Sequence, residues 1–257
     1  MRRDLANGRH RDPFMNWYEQ WIGDNPRPLQ FRILVILINA RFDQGTRAER
    51  ALENTRRLVD VGILDADSIP LEDVPILHTR QRMKPDKWRE LLWRSLPGLK
   101  QLARRITSFG RWKASDLRKE ITIAKIPWFG PKTARLAVRW IAELVGEISV
   151  GMADSEVPVD SLIYRVAARL ALLDPNSDKY WGPGSPGHQK VQQIARQLFP
   201  HNPSLVDEPI WMMGRQPRDK GFSSPKTQFV IVDACLQPSA RDASKSPILG
   251  SLATQVE

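Results

Sequence analysis

The stretch from Ile123 to Leu173, IAKIPWFGPKTARLAVRWIAELVGEISVGMADSEVPVDSLIYRVAARLALL, holds two groups of residues suited to chemistry on a polyanion. The first is I-P-x-x-G-P-K-T-A, Ile126 to Ala134, in which a proline-punctuated helix end runs through Gly130 into an amphipathic helix, Lys132 to Leu144. A glycine turn at a helix N-terminus presents backbone N–H groups and the positive end of the helix dipole, which suits one phosphate of a strand. Contacts of that kind hold the backbone and carry no sequence preference. The same string also fits an ordinary corner between two helices, and Lys132 on it reads in two ways: a phosphate-binding cation or an amine nucleophile. A lysine titrates ordinarily near a pH of about 10.4, so the second role needs desolvation or a nearby cation. The other group is V-P-V-D-S-L-I-Y-R-V, Val157 to Val166, where Asp160 occupies the N-cap position of a helix expected over Ser161 to Leu173. Capping is a common task for an aspartate there.

The elements that must position these residues read as helical. Thr46 to Glu49, T-R-A-E, has the form of a capping box opening a helix that continues through Arg47 to Leu58. Between Lys87 and Ile106 apolar residues recur at helical spacing (Trp88, Leu91, Leu92, Leu96, Leu99, Leu102, Ile106), and Pro97-Gly98 is expected to divide that segment in two. Ile33 to Ile38, an unbroken apolar run rich in β-branching, fits a buried helix or a strand equally. No other segment suggests a strand. The nine tryptophans imply large aromatic packing surfaces, mostly core or cleft wall. Residues 1–13, Arg-rich and polar, and residues 238–257, rich in Ser, Ala and Pro, read as flexible tails around a folded region, 14–237.

A hairpin first and P-V-D-x-x-x-x-R-V second, in that order, resembles the helix-hairpin-helix DNA glycosylases, among them endonuclease III and the archaeal oxoguanine glycosylases. The likeness extends over most of the chain between about Phe14 and Cys235. Leu29 to Thr46 (LQFRILVILINARFDQGT) looks like the family's helix and loop that enter the minor groove, and Val206 to Arg215 (VDEPIWMMGR) like its late helix ending in Gly-Arg. The resemblance implies an all-α fold, two helical lobes around a DNA-binding cleft with a helix-hairpin-helix motif. The spacing of Asp207 and Trp211 is closest to the archaeal oxoguanine branch. Departures are also plain. Many relatives of endonuclease III carry four cluster-binding cysteines after the Gly-Arg, whereas the matching region here retains only Cys235, and Trp128 stands where the family hairpin usually has its first glycine.

What the resemblance implies for the chemistry follows residue by residue. Breaking an N-glycosidic bond builds positive charge on the deoxyribose, and an ionised carboxylate beneath the sugar stabilises it; Asp160 takes that role. Lys132 stands where bifunctional members place an amine that forms a Schiff base and nicks the strand. The base pocket falls to Asp207, Trp211, Pro158, Arg139 and Leu136. DNA contacts fall to Gly130 and Thr133 at the hairpin, to Arg41 as the wedge filling the gap left by a flipped base, and to Arg80, Arg82 and Lys84 as a second probe. Each has a plainer alternative: Arg41 and the 79–84 segment as phosphate contacts, Asp207 as a helix cap, Trp211 as core. The implied function is excision of a modified or mispaired base from duplex DNA with abasic-site lyase activity, in base excision repair or against hypermodified foreign DNA. A monofunctional glycosylase and a non-catalytic hairpin protein that recognises distorted DNA remain alternatives.

Composition narrows the classes. Lys and Arg outnumber Asp and Glu 39 to 29, a net charge of +10, which favours a polyanionic partner. No apolar run reaches the roughly 18–20 residues of a spanning helix, so a cytoplasmic, nucleoid-associated monomer is expected. A lone Cys235 excludes an internal disulfide and cysteine-built metal or cluster sites. Four scattered histidines lack the i, i+4 spacing of helix-borne ligands, so no metal and no other cofactor is expected.

Overall fold

Helix α2 (Leu29–Asp43) shows what the ambiguous apolar run does: Ile33 to Ile38 is its centre, and every residue from Ile33 to Arg41 is buried. A helix apolar on all sides must be enclosed. In the computed structural model, which describes residues 12–43, 48–66, 69–75, 84–127, 129–174, 176–178 and 182–215, helices α3 (Ala48–Asp60), α4 (Pro85–Ser108) and α6 (Pro131–Leu144) all pack against it. Burial of β-branched residues against those neighbours overrides their strand preference. Thr55 of α3 donates from Oγ1 to Oδ1 of the buried Asn39 at 2.9 Å, fixing the register between α2 and α3. Helix α1 (Pro13–Asp24) begins with Asp12 as N-cap, its carboxylate accepting from the Phe14 N–H at 2.8 Å, and with Pro13 at the first helical position. Phe14 meets Trp140 of α6 with ring centroids 4.8 Å apart.

Helix α4 corrects one expectation. It runs unbroken from Pro85 to Ser108 with Pro97 inside it. An internal proline costs about 3 kcal/mol, whereas each large apolar side chain fully buried contributes about 1.5–3 kcal/mol. Leu92, Leu96, Leu99, Leu102 and Ile106 form one buried stripe on α4, and Pro97 lies on the exposed side, so the stripe wins. Helix α5 (Ala114–Ile123) follows α4 through a three-residue strand β1 (Arg111–Lys113), which pairs in parallel with β2 (Ser149–Gly151), Trp112 opposite Val150. Strands this short have no periodicity to read, and the sequence does not announce them.

The chain divides into two compact units, one of Arg11–Pro158 and one beginning at Val159. All the elements above belong to the first. The described part of the second contains α7 (Ser161–Arg169), α8 (Pro186–Leu198) and α9 (Asp207–Arg215), with a 3₁₀ turn, Pro203–Val206, leading directly into α9. The described residues are thus predominantly helical, and none of their helices is long and apolar enough to cross a membrane. Thr46, expected as a cap, lies outside the described residues, as do positions 1–11 and 216–257.

Helix α7 stops short of the Leu173 expected for it. Ala171 adopts φ 56°, and the Leu172 N–H reaches back to the Ala167 carbonyl at 3.0 Å, the closing bond of a Schellman motif. Glycine normally fills that left-handed position, so the stop has no glycine to announce it. At Gly187, near the start of α8, a Cβ would lie 2.3 Å from the Asp178 carbonyl oxygen and 2.7 Å from Tyr164 Cε2. Two substitutions should therefore behave in opposite ways in urea melts of the purified protein. Ala171→Gly should raise stability by about 1 kcal/mol by removing left-handed strain. Gly187→Ala, which favours an ordinary helix interior by about 0.5–1 kcal/mol, should instead lower it.

Candidate functional site

Helices α5 and α6 pack against each other and are joined by residues 124–130. The turn tightens by an N–H of Lys125, itself at φ 48°, to the Thr122 carbonyl at 3.2 Å, and by Phe129 N–H to the Ile126 carbonyl at 3.0 Å. Gly130 is the N-cap of α6 with extended backbone, φ −82° and ψ 177°, and offers no side-chain cap. Pro131, at N1, cannot donate and needs no partner there. Lys132 follows in the opening turn, its side chain 31 % exposed and its Nζ 3.7 Å from Asp43 Oδ2.

Beyond Lys132, α6 turns inward. Thr133 and Leu136 are buried. Arg139, expected to approach a base or a phosphate, is also buried and pairs through Nε with Glu143 Oε1 at 2.8 Å. The Thr133 side chain is therefore closed to an outside partner in this conformation, against the contact expected of it.

Arg41 is a clearer departure. As a wedge it would have to project from the surface, but it is 0 % exposed, among the largest fully buried side chains of the molecule. Its Nε donates to the Pro127 carbonyl at 3.2 Å and its Nη2 to Ser95 Oγ at 3.3 Å, while its guanidinium lies 5.0 Å over the Trp88 ring. Burial pushes its pKa down to about 10, so it remains a cation at neutral pH. The reason is geometric: the last turn of α2 faces α4 and the α5–α6 turn, and a long side chain leaving it meets those elements before it meets solvent. Arg41 thus ties the turn preceding Lys132 to α2 and α4. Arg80 and Arg82 lie outside the described residues, and Lys84 is an exposed residue just before α4.

A second set of contacts escaped sequence reasoning. Glu156 accepts from Arg135 Nε of α6 at 2.6 Å and pairs with Arg118 of α5 at 2.5 Å. Burial alone would raise the Glu156 carboxyl, but Arg135 and Arg118 outweigh it and hold the pKa below the ordinary 4.5. The triad fixes α5, α6 and the segment leading to the buried Pro158, where the first unit ends. Its members lie far apart in sequence, and no local pattern marks them. The pair of Lys132 and Asp43 was missed for the same reason.

In the second unit, Asp160 caps α7 as expected, Oδ1 accepting from the Leu162 and Ile163 N–H groups at 2.9 Å each. It is half-buried. Asp207 opens α9; it is buried, and Trp211, one turn later on the same side, is partly exposed. Its carboxylate suits the positive end of the helix dipole. The packing of α7 against α9 places Asp160, the cap of the one, and Asp207 and Trp211, within the other, on neighbouring helices. Compared with protein-family models, curated proteins and solved structures, the chain matches none of them. The functional reading therefore rests on the residues themselves.

Two measurements check this geometry. Arg41→Lys keeps the charge but lacks the branched guanidinium that reaches both the Pro127 carbonyl and Ser95 Oγ from beside Trp88, and should cost about 1–3 kcal/mol of stability in denaturant melts. For Glu156 the folded pKa is depressed, so its contribution is present above the ordinary value of 4.5 and is lost as pH falls through the lower folded value. Glu156→Gln should accordingly be less stable than wild type at pH 7, with the gap closing in strongly acidic buffer.

Proposed function

We propose that the chain is a base-excising enzyme acting on duplex DNA, a helix-hairpin-helix glycosylase with abasic-site lyase activity. The observation that carries the reading is Lys132 in the opening turn of α6, partly exposed, directly after the α5–α6 turn. In this reading α5, residues 124–130 and α6 form the hairpin, whose backbone N–H groups take a phosphate. Lys132 supplies an amine to the sugar C1′ as the N-glycosidic bond breaks and the base leaves with the bonding pair. The added amine loses a proton, the C1′–O4′ bond opens as O4′ takes one up, and the Schiff base so formed loses a C2′ proton and expels the 3′ phosphate, which nicks the strand on that side. Asp160 stabilises the positive charge that develops on the sugar. Asp207 and Trp211 are assigned to the extruded base, one as hydrogen-bond acceptor and the other as stacking surface. The +10 net charge supports a polyanionic partner.

A second reading is favoured by one observation. The carboxylate of Asp43 beside Lys132 suits a lysine that stays charged and holds a phosphate. The enzyme would then be monofunctional, with water as nucleophile.

End-labelled duplexes, each with one candidate base, distinguish the two. In the leading reading the wild type nicks one of them without alkali, Lys132→Gln does not, and borohydride traps a covalent adduct with the wild type alone. Nicks seen only after alkali, and equal in Lys132→Gln, establish the second. In either case Asp160→Asn should slow excision by about 10²–10³-fold, the loss typical for a group that stabilises transition-state charge; an unaffected rate would remove Asp160 from the chemistry, and no cleavage of any duplex by the wild type would leave a binding protein.

A further inference from the structure

Lys132 stands between opposing fields. It lies in the first turn of α6, where the positive end of the helix dipole disfavours an ammonium. Against that acts Asp43, with Oδ2 3.7 Å from Nζ. Asp43 is itself in an adverse place. It is the last residue of α2, so its carboxylate sits at the negative end of its own helix dipole, and its side chain is only 17 % exposed. Neither helix gains from the charge it carries there unless the two charges meet.

Most other charged groups on the elements packed against α6 have partners of their own. On α2, Arg32 pairs with Glu147 and Arg41 is enclosed on the Pro127 carbonyl. On α5, Arg118 pairs with Glu156, Glu120 with Arg105 and Asp116 with Lys119. On α6 itself, Arg135 and Arg139 pair with Glu156 and Glu143. Helix α1 carries Glu19 and Asp24, the turn carries Lys125, and β2 carries no charge.

Building on the assignment of Lys132 as nucleophile, we propose that Asp43 is its positioning residue: it holds the amine as an oriented ion pair in the free enzyme, and the pair opens before Lys132 attacks. On opening, the ammonium gives its proton to water, and the neutral amine is the attacking species. Asp43 thus restrains the amine until a substrate occupies the site. The dipole at the start of α6, no longer opposed, favours the neutral form at that moment.

The test has two independent readouts on the full chain. The first is titration of Lys132 after ¹³C reductive methylation, its resonance assigned by its absence from Lys132→Gln. The second is the pH profile of borohydride trapping on an abasic duplex. In Asp43→Asn the Lys132 resonance should titrate roughly one pH unit lower than in wild type. The rising limb of trapping should move with it, giving about tenfold more adduct at a pH below the limb. Asp43→Glu should restore the wild-type values. High salt should lower the wild-type titration in the same direction, since a partly exposed pair is screened, and this needs no variant. An unmoved titration overturns the proposal, and so does an Asp43→Asn that loses trapping equally at every pH. Shifted titration without trapping by the wild type would instead overturn Lys132 as nucleophile, and with it any part for Asp43 in the reaction. Trapping by the wild type with an unmoved titration would overturn Asp43 alone.

Discussion

A helix buried around its whole circumference must be closed in by neighbours, and its last turn must deliver the chain back towards solvent through whatever those neighbours leave open. At the end of α2 that constraint is met by a guanidinium. Arg41 lies within the packing of α2 and α4, over the ring of Trp88, and its Nε reaches the Pro127 carbonyl in the turn before α6. The place of the α5–α6 turn, and so of Lys132, depends on that contact. Two residues later Asp43 meets Lys132 itself. The end of one buried helix therefore sets both the backbone that precedes the candidate nucleophile and the charge beside it.

The remaining contacts around α6 act in the same sense. Glu156 joins α5 to α6 through Arg118 and Arg135, and the stretch that follows it runs into Pro158 and then Asp160. Phe14 against Trp140 secures the other side of α6. A helix held on several sides keeps its N-terminus in a fixed place, which the proposed phosphate contact would require. The two carboxylates Asp160 and Asp43 differ in kind. Asp160 is satisfied locally by two backbone N–H groups of its own helix, whereas Asp43 is satisfied at long range by a side chain.

Much of the helical content was legible because the signals are local. Pro131 at N1 after Gly130, the Asp160 cap and the apolar stripe of α4 each act within one or two turns. What was not legible falls into two physical classes. In one, a local rule was outweighed: Pro97 inside α4 by the burial of its stripe, β-branching in α2 by enclosure, and the missing glycine at Ala171 by a Schellman bond that formed without it. In the other, the interaction joins distant segments and no local pattern encodes it. Arg41 with Pro127, Asp43 with Lys132 and Arg118 with Glu156 are of this class, as is the pairing of β1 with β2. The wedge expectation for Arg41 failed on that ground, since its residue type suited a groove and only its surroundings assign it to the interior.

The environment of Arg41 also bears on how this sequence can drift. Its side chain touches α4 at Trp88 and Ser95 and the turn at Pro127. A smaller indole replacement, a bulkier residue at 95 or a shifted turn would each leave a cation stranded in an apolar surround. Conversely, loss of the cation alone would leave the turn carbonyl and the Ser95 hydroxyl without it. Positions 41, 88, 95 and 127 are therefore bound into one epistatic set, expected to change together or not at all across a lineage, while the exposed face of α4 around Pro97 is free to vary.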